Sequence, residues 1–224
     1  MNEINKKIGS GISGNLDENL RTLERVCAAS FTLLKKGDLA DIAINSGAEL
    51  TNEKKLLIKY FGEKIAVDVD SEKVYYPGRQ KDSKDPDGSA QVDVFSSSII
   101  LHYLNNADGM NLSGKWIAYR ELPDGMFYFR TIPGVLESLV KKYENSSGDL
   151  IKIVEKNGGK RSPGFANGAI IYPFPYFPIL IILEEKSEEF EAAARVLFDS
   201  NSCHYIKTDI IKMILIYMAR LLTA

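Results

Sequence analysis

The segment 172–183, YPFPYFPILIIL, sets three prolines beside five consecutive aliphatic residues. An unbroken aliphatic run of that length is the pattern of a strand covered on both faces. Pro173, Pro175 and Pro178 each lack the N–H that a ladder needs, so YPFPYFP is expected to form an edge, bulge or bend. The segment therefore demands a sheet with enough other chain to bury it. At 224 residues, 45% hydrophobic and 26% charged, the chain has ordinary globular proportions and can build such a core without disulfide staples.

The rest of the chain supplies helices and further strands in mixed order. Residues 1–14 are polar with three glycines and are expected to be a flexible N-terminus, leaving 15–224 as a single globular domain. Leu16, Leu20, Leu23, Val26, Cys27, Phe31 and Leu34 recur at helical spacing up to Gly37, and Asp38 can cap a second short helix ending near Gly47. The period then changes to that of strands. Runs at 56–61, 65–69 and 74–76 read as a three-stranded meander, with Ile65, Val67 and Val69 on one face. Residues 77–89 have the charge, proline and glycine of a surface loop.

Further on, 92–104 reads as a helix carrying Val92, Phe95, Ile99, His102 and Tyr103 along one side. Residues 116–121 and 126–129 read as extended segments joined across the turn 122–125. Helices are expected from Pro133 and over 150–155, a loop over 157–168, and strands over 169–174 and 195–198. The helix 210–222 is apolar nearly all round, so it is either deeply packed or a subunit contact. Mixed runs of this kind point to an α+β fold, a mainly antiparallel sheet packed by several helices and closed by an apolar C-terminal helix.

Charge and cysteine content exclude several classes. Twenty-eight basic against 30 acidic residues leave a net charge of −2, so no basic excess recruits nucleic acid. The N-terminus has no apolar stretch of signal-peptide length, and 210–222 is too short for a membrane span. A cytoplasmic protein without a membrane partner is the expectation. Cys27 and Cys203 are too few to hold an iron–sulfur cluster by themselves. GGKRS at 158–162 fails the phosphate-loop pattern, because Val154 stands where the first glycine belongs.

Three groups of residues carry candidate chemistry. His102 stands alone on an apolar helix side, as a core histidine or as a ligand. Asp199 and His204 could be an orienting carboxylate and a catalytic base, or an Asx turn with a surface histidine. On a strand, Trp116 and Arg120 would face one way and Tyr119 and Glu121 the other. That arrangement gives either an aromatic wall with an anion grip or a core ring with a surface ion pair. The five carboxylates of EEKSEEFE, 184–191, read as a solvated turn or a cation site.

The motifs IILHYLNNADGMNLSGKWIAYRELPDGMFY, YPFPYFPILIILEEKSEEF and RVLFDSNSCHYIKTD, in this order, resemble an uncharacterised conserved domain family of anaerobic bacteria and archaea. Some of its members are fused to a four-cysteine iron–sulfur domain like that of corrinoid iron–sulfur proteins. The matching positions include His102, Trp116, Arg120, Glu121, Asp199 and His204, whereas Glu184 replaces a family tryptophan. The resemblance implies a setting in anaerobic redox or one-carbon metabolism, with a corrinoid as candidate cofactor and a redox or corrinoid protein as candidate partner.

Three functions follow as expectations. The first is a non-catalytic cofactor- or small-ligand-binding accessory protein using His102, Trp116, Arg120 and Glu121. The second is a small hydrolase or transferase using His204, Asp199 and Arg120. The third is an interaction module forming a homo-oligomer through the C-terminal helix. The first two require these side chains to meet around one hollow.

Overall fold

Two five-stranded antiparallel sheets, with helices packed against them, make up the computed structural model, which describes residues 16–80 and 89–224. The expectations for 1–14 and for most of the loop after Gln80 fall outside the described residues. Helix α1 (Leu16–Leu34) and helix α2 (Leu39–Ser46) lie where periodicity and caps put them. Asp38 accepts from the Ala40 N–H at 2.7 Å, and Gly47 ends α2 in the left-handed conformation, each satisfying backbone groups that a helix end leaves open.

The first sheet runs in chain order: β1 (Glu49–Leu50), β2 (Lys55–Tyr60), β3 (Glu63–Asp68), β4 (Lys73–Gln80) and β5 (Ser89–Gln91). The expected meander is its centre, with Leu56 opposite Val67 and Ile58 opposite Ile65. Strand pairing continues past Tyr76 to Gln80, so the surface loop is shorter than 77–89. Helix α3 (Val94–Asn106) follows, capped by Asp93. Nine of its 13 residues are buried, Ser96, Ser97 and Ser98 among them, so its buried surface is far wider than one apolar stripe. Serine is tolerated there where its hydroxyl bonds back to the backbone, as Ser98 does to the Phe95 carbonyl at 2.7 Å.

The second sheet has the order β6 (Trp116–Ala118), β10 (Ala193–Asp199), β9 (Phe177–Glu184), β8 (Gly168–Phe174) and β7 (Lys160–Arg161). Strand β9, carrying the aliphatic run, is central, with every residue from Phe177 to Leu183 buried. The prolines act as expected: the β8–β9 register slips between Ile171 and Phe174. The short strand β7 falls inside what the sequence presents as a loop.

Residues 116–131 depart most from expectation. Only Trp116–Ala118 is extended; Tyr119–Glu121 is a 3₁₀ turn, α4 (Gly125–Tyr128) is helical, and a second 3₁₀ turn, Phe129–Thr131, leads into α5 (Ile132–Tyr143). The alternation that set Trp116 and Arg120 on one strand face therefore does not exist. After α6 (Ser147–Lys156) and the second sheet, helix α7 (Thr208–Thr223) closes the chain. Ile211, Ile214, Leu215, Met218 and Leu222 of α7 are buried in the core.

Both sheets contribute to one hydrophobic core. The Phe61 N–H donates to the Pro173 carbonyl at 3.1 Å, and the Tyr103 ring stacks on Phe174 with centroids 4.1 Å apart. The Tyr103 hydroxyl donates to the Ser46 carbonyl and accepts from the Tyr176 N–H, so α2, α3 and the β8–β9 turn meet at one side chain. Gly62 and Gly158, both at positive φ, face each other where the first sheet meets the end of α6; a Cβ on Gly158 would stand 3.1 Å from the Gly62 Cα. Gly158→Ala is expected to cost about 1–3 kcal/mol through its left-handed backbone, read as a lower urea midpoint at unchanged slope. An unaltered midpoint would contradict this account of the junction.

Candidate functional site

Two long-range hydrogen bonds build the site. Tyr119, at the start of the 3₁₀ turn after β6, is buried, and its hydroxyl donates to the Thr208 carbonyl at 2.7 Å. The Thr208 hydroxyl in turn donates to the Pro123 carbonyl at 2.5 Å. The segment 119–125 is thus fastened twice to the head of α7. Burial pushes the Tyr119 phenol up to about 12, so it remains a protonated donor at neutral pH. The turn between the two points is tight: Asp124 adopts φ +60°, and a Cβ on Gly125 would lie 2.0 Å from the Tyr119 carbonyl oxygen. Only glycine fits at 125, and this forces the chain to coil where an extended segment was expected.

Beyond the junction the two segments part and leave a cleft of about 690 Å³, within the size range of small-molecule sites. One wall carries Pro123, Asp124, Phe127 and Tyr128, the other Cys203, Lys207, Thr208 and Asp209. Phe127 is 80% exposed and Tyr128 41%, an unusual placement for adjacent rings unless they meet something. Cys203 lies 3.7 Å from the Thr208 hydroxyl, and burial raises its thiol, so it is a weak nucleophile at neutral pH. A second cleft, about 560 Å³, lies between α1 and the first sheet and includes Cys27. Burial pushes that thiol up to about 11.

The residues singled out from the sequence do not meet in either cleft. His102 lies behind the first: its Nε2 accepts from the Lys207 N–H at 3.4 Å, and burial holds the imidazole below its ordinary value. Trp116 packs against Ile170, Leu180 and Ile182 on the face of the second sheet away from the main core. Arg120 is exposed on the 3₁₀ turn, and Glu121 accepts from the Ala118 N–H at 2.7 Å. Asp199 is 3% exposed and does not orient His204. Its carboxylate instead accepts from the backbone N–H groups of Ser113, Gly114 and Asn201 and from the Ser113 hydroxyl.

The carboxylate that meets His204 belongs to Asp108, with Nδ1 and Oδ2 2.6 Å apart. The segment 107–115 is thus held to the 199–205 turn by Asp199, by His204 and by the Tyr205 hydroxyl, which donates to the Met110 carbonyl. Among the described residues no three His, Cys, Asp or Glu side chains are placed to hold a metal ion together, and no helix is long and apolar enough to cross a membrane.

Sequence reading passed over Asp108, Asp124, Phe127, Tyr128, Lys207 and Asp209. The usable signals were two neighbouring rings directly after a Pro-Asp-Gly turn, and the Thr208-Asp209 pair, which starts α7 two residues before the apolar pattern does.

The Asp108 carboxyl is held below its usual range chiefly by the hydrogen bond from His204. A depressed carboxyl pKa stabilises the folded state above the usual carboxylate range, and that contribution is lost as pH falls through the folded value. Both side chains are about half exposed, so solvent screens the pair and the effect is small: Asp108→Asn should speed amide exchange in 107–115 roughly two- to fivefold at neutral pH. Unchanged exchange there would show that the pair does not hold the segment.

No curated protein and no solved structure matches the chain significantly. One family model matches, described as Domain of unknown function (DUF3786), over residues 38–221. That span begins at the cap of α2 and runs into the last turn of α7, including both sheets and the cleft. The chain belongs to this domain family of unknown function.

Proposed function

We propose that the domain is a non-catalytic accessory that binds a small ligand in the cleft between residues 123–128 and the head of α7. The setting proposed for it is the anaerobic redox or one-carbon metabolism suggested by the resemblance of its motifs. The observation that carries the binding reading is the cleft itself, an open space of about 690 Å³ with Phe127 and Tyr128 exposed at its side. Exposed apolar surface beside a concavity marks a place where a partner or ligand gains burial energy. The nearest thiol is raised by burial, and among the described residues no hydrogen-bonded acid–base pair lines the cleft, which favours binding over catalysis.

The test uses N-phenyl-1-naphthylamine, an uncharged dye that fluoresces when shielded from water. Wild-type protein should bind it with saturable, one-to-one stoichiometry. Phe127→Ala, which removes an exposed ring, should keep the fold by circular dichroism and weaken dye binding about tenfold. Saturable binding that Phe127→Ala leaves unaltered, or no binding, would contradict the reading.

A second reading draws on the 2.6 Å contact between Asp108 and His204, in which a carboxylate orients an imidazole as it would a general base. Hydrolysis of p-nitrophenyl acetate that drops about 100-fold in His204→Ala would support it. A rate equal in both proteins would remove it.

A further inference from the structure

The cleft is lined by charges of both signs. Asp124 stands with the Phe127 and Tyr128 rings on one wall, and Lys207 and Asp209 stand on the other. Among the described residues none of Asp124, Lys207 and Asp209 has an ion-pair partner. The bond from the Thr208 hydroxyl to the Pro123 carbonyl joins the walls, so the backbones that carry charges of opposite sign are held on either side of a shared space. An ammonium group gains both from a carboxylate and from ring faces, whose quadrupole attracts cations. A methylated ammonium also covers apolar ring surface, which a bare, strongly hydrated one does not. The opposite wall offers the Lys207 ammonium at the start of a 16-residue helix, and it would repel a cation but attract a carboxylate. Asp209, exposed and on the same wall as Lys207, adds a second carboxylate to the cleft and also influences Tyr119 and His102.

Building on the binding site described above, we propose that its ligand is a small zwitterion, with an alkylated ammonium group against Asp124 and the rings and a carboxylate against Lys207. Neither charge alone matches the whole lining: a simple cation meets Lys207 unfavourably, and a simple anion meets Asp124 and Asp209.

Four isosteres separate the contributions. Trimethylammonioacetate carries both charges, choline the cation alone, 3,3-dimethylbutyrate the carboxylate alone, and 3,3-dimethylbutan-1-ol neither. Each is titrated against the full chain by calorimetry and by displacement of the uncharged dye. The zwitterion should bind about tenfold more tightly than either singly charged compound, and those more tightly than the alcohol. Asp124→Asn should reduce the advantage of nitrogen over carbon at the quaternary centre to the share that the rings supply. Asparagine tolerates the left-handed backbone at 124 as well as aspartate does, so this variant tests charge without moving the turn. Lys207→Gln should erase the advantage of carboxylate over alcohol. If the dye binds and the zwitterion does no better than the uncharged alcohol, the inference fails while the binding site stands. It fails in the same way if the zwitterion's advantage survives both substitutions. If the dye does not bind, the site and the inference fall together.

Discussion

The cleft exists because Tyr119 and Thr208 hold two distant segments together. They are 89 positions apart in the chain, and the hydroxyl of each satisfies a carbonyl on the other segment. An intramolecular hydrogen bond contributes about 0.5–1.5 kcal/mol net, so this reciprocal arrangement fixes position as well as adding stability. Everything proposed for the site follows from it. The 3₁₀ turn, the left-handed Asp124 and the close-packed Gly125 turn the chain away from α7 immediately beyond the junction. The aromatic wall then stands apart from the helix head and does not collapse onto it.

The same principle operates deeper in the molecule. Tyr103 joins α2, α3 and the β8–β9 turn through one hydroxyl and one stacked ring. Tyr60 and Phe174 bring the two sheets into ring contact at 5.2 Å. Such side chains combine a large apolar area with a polar tip that usually finds a partner when buried. For Tyr103 and Tyr119 the partners are backbone atoms of elements far away in sequence. The segment 107–115 is held in a comparable way, by Asp199 gathering several N–H donors where no helix or strand supplies partners.

What could be read from the sequence was what local chemistry decides. Asp38 and Gly47 bracket α2 because a carboxylate cap and a left-handed glycine act within a few residues. Pro133 lies at the start of α5 because its fixed φ suits that position. The aliphatic run of β9 announced a strand covered on both sides, and so it lies. The segment 119–131 was illegible because its course is decided by Tyr119 reaching Thr208, a contact no local pattern encodes. The Asp199–His204 pairing failed for a related reason. Proximity in sequence favoured Asp199, yet that carboxylate is consumed by backbone donors, and His204 turns instead to Asp108, 96 positions upstream. The serines of α3 hid how much of that helix is buried, since polar residues ordinarily signal an exposed face.

The most direct measurement is an amide chemical-shift map of the isotopically labelled chain with and without N-phenyl-1-naphthylamine. The account predicts shifts concentrated at 119–128 and 203–209, on the two walls joined by Tyr119 and Thr208. Shifts centred instead on the second cleft, around Cys27 and Val92, or spread evenly over the surface, would contradict it.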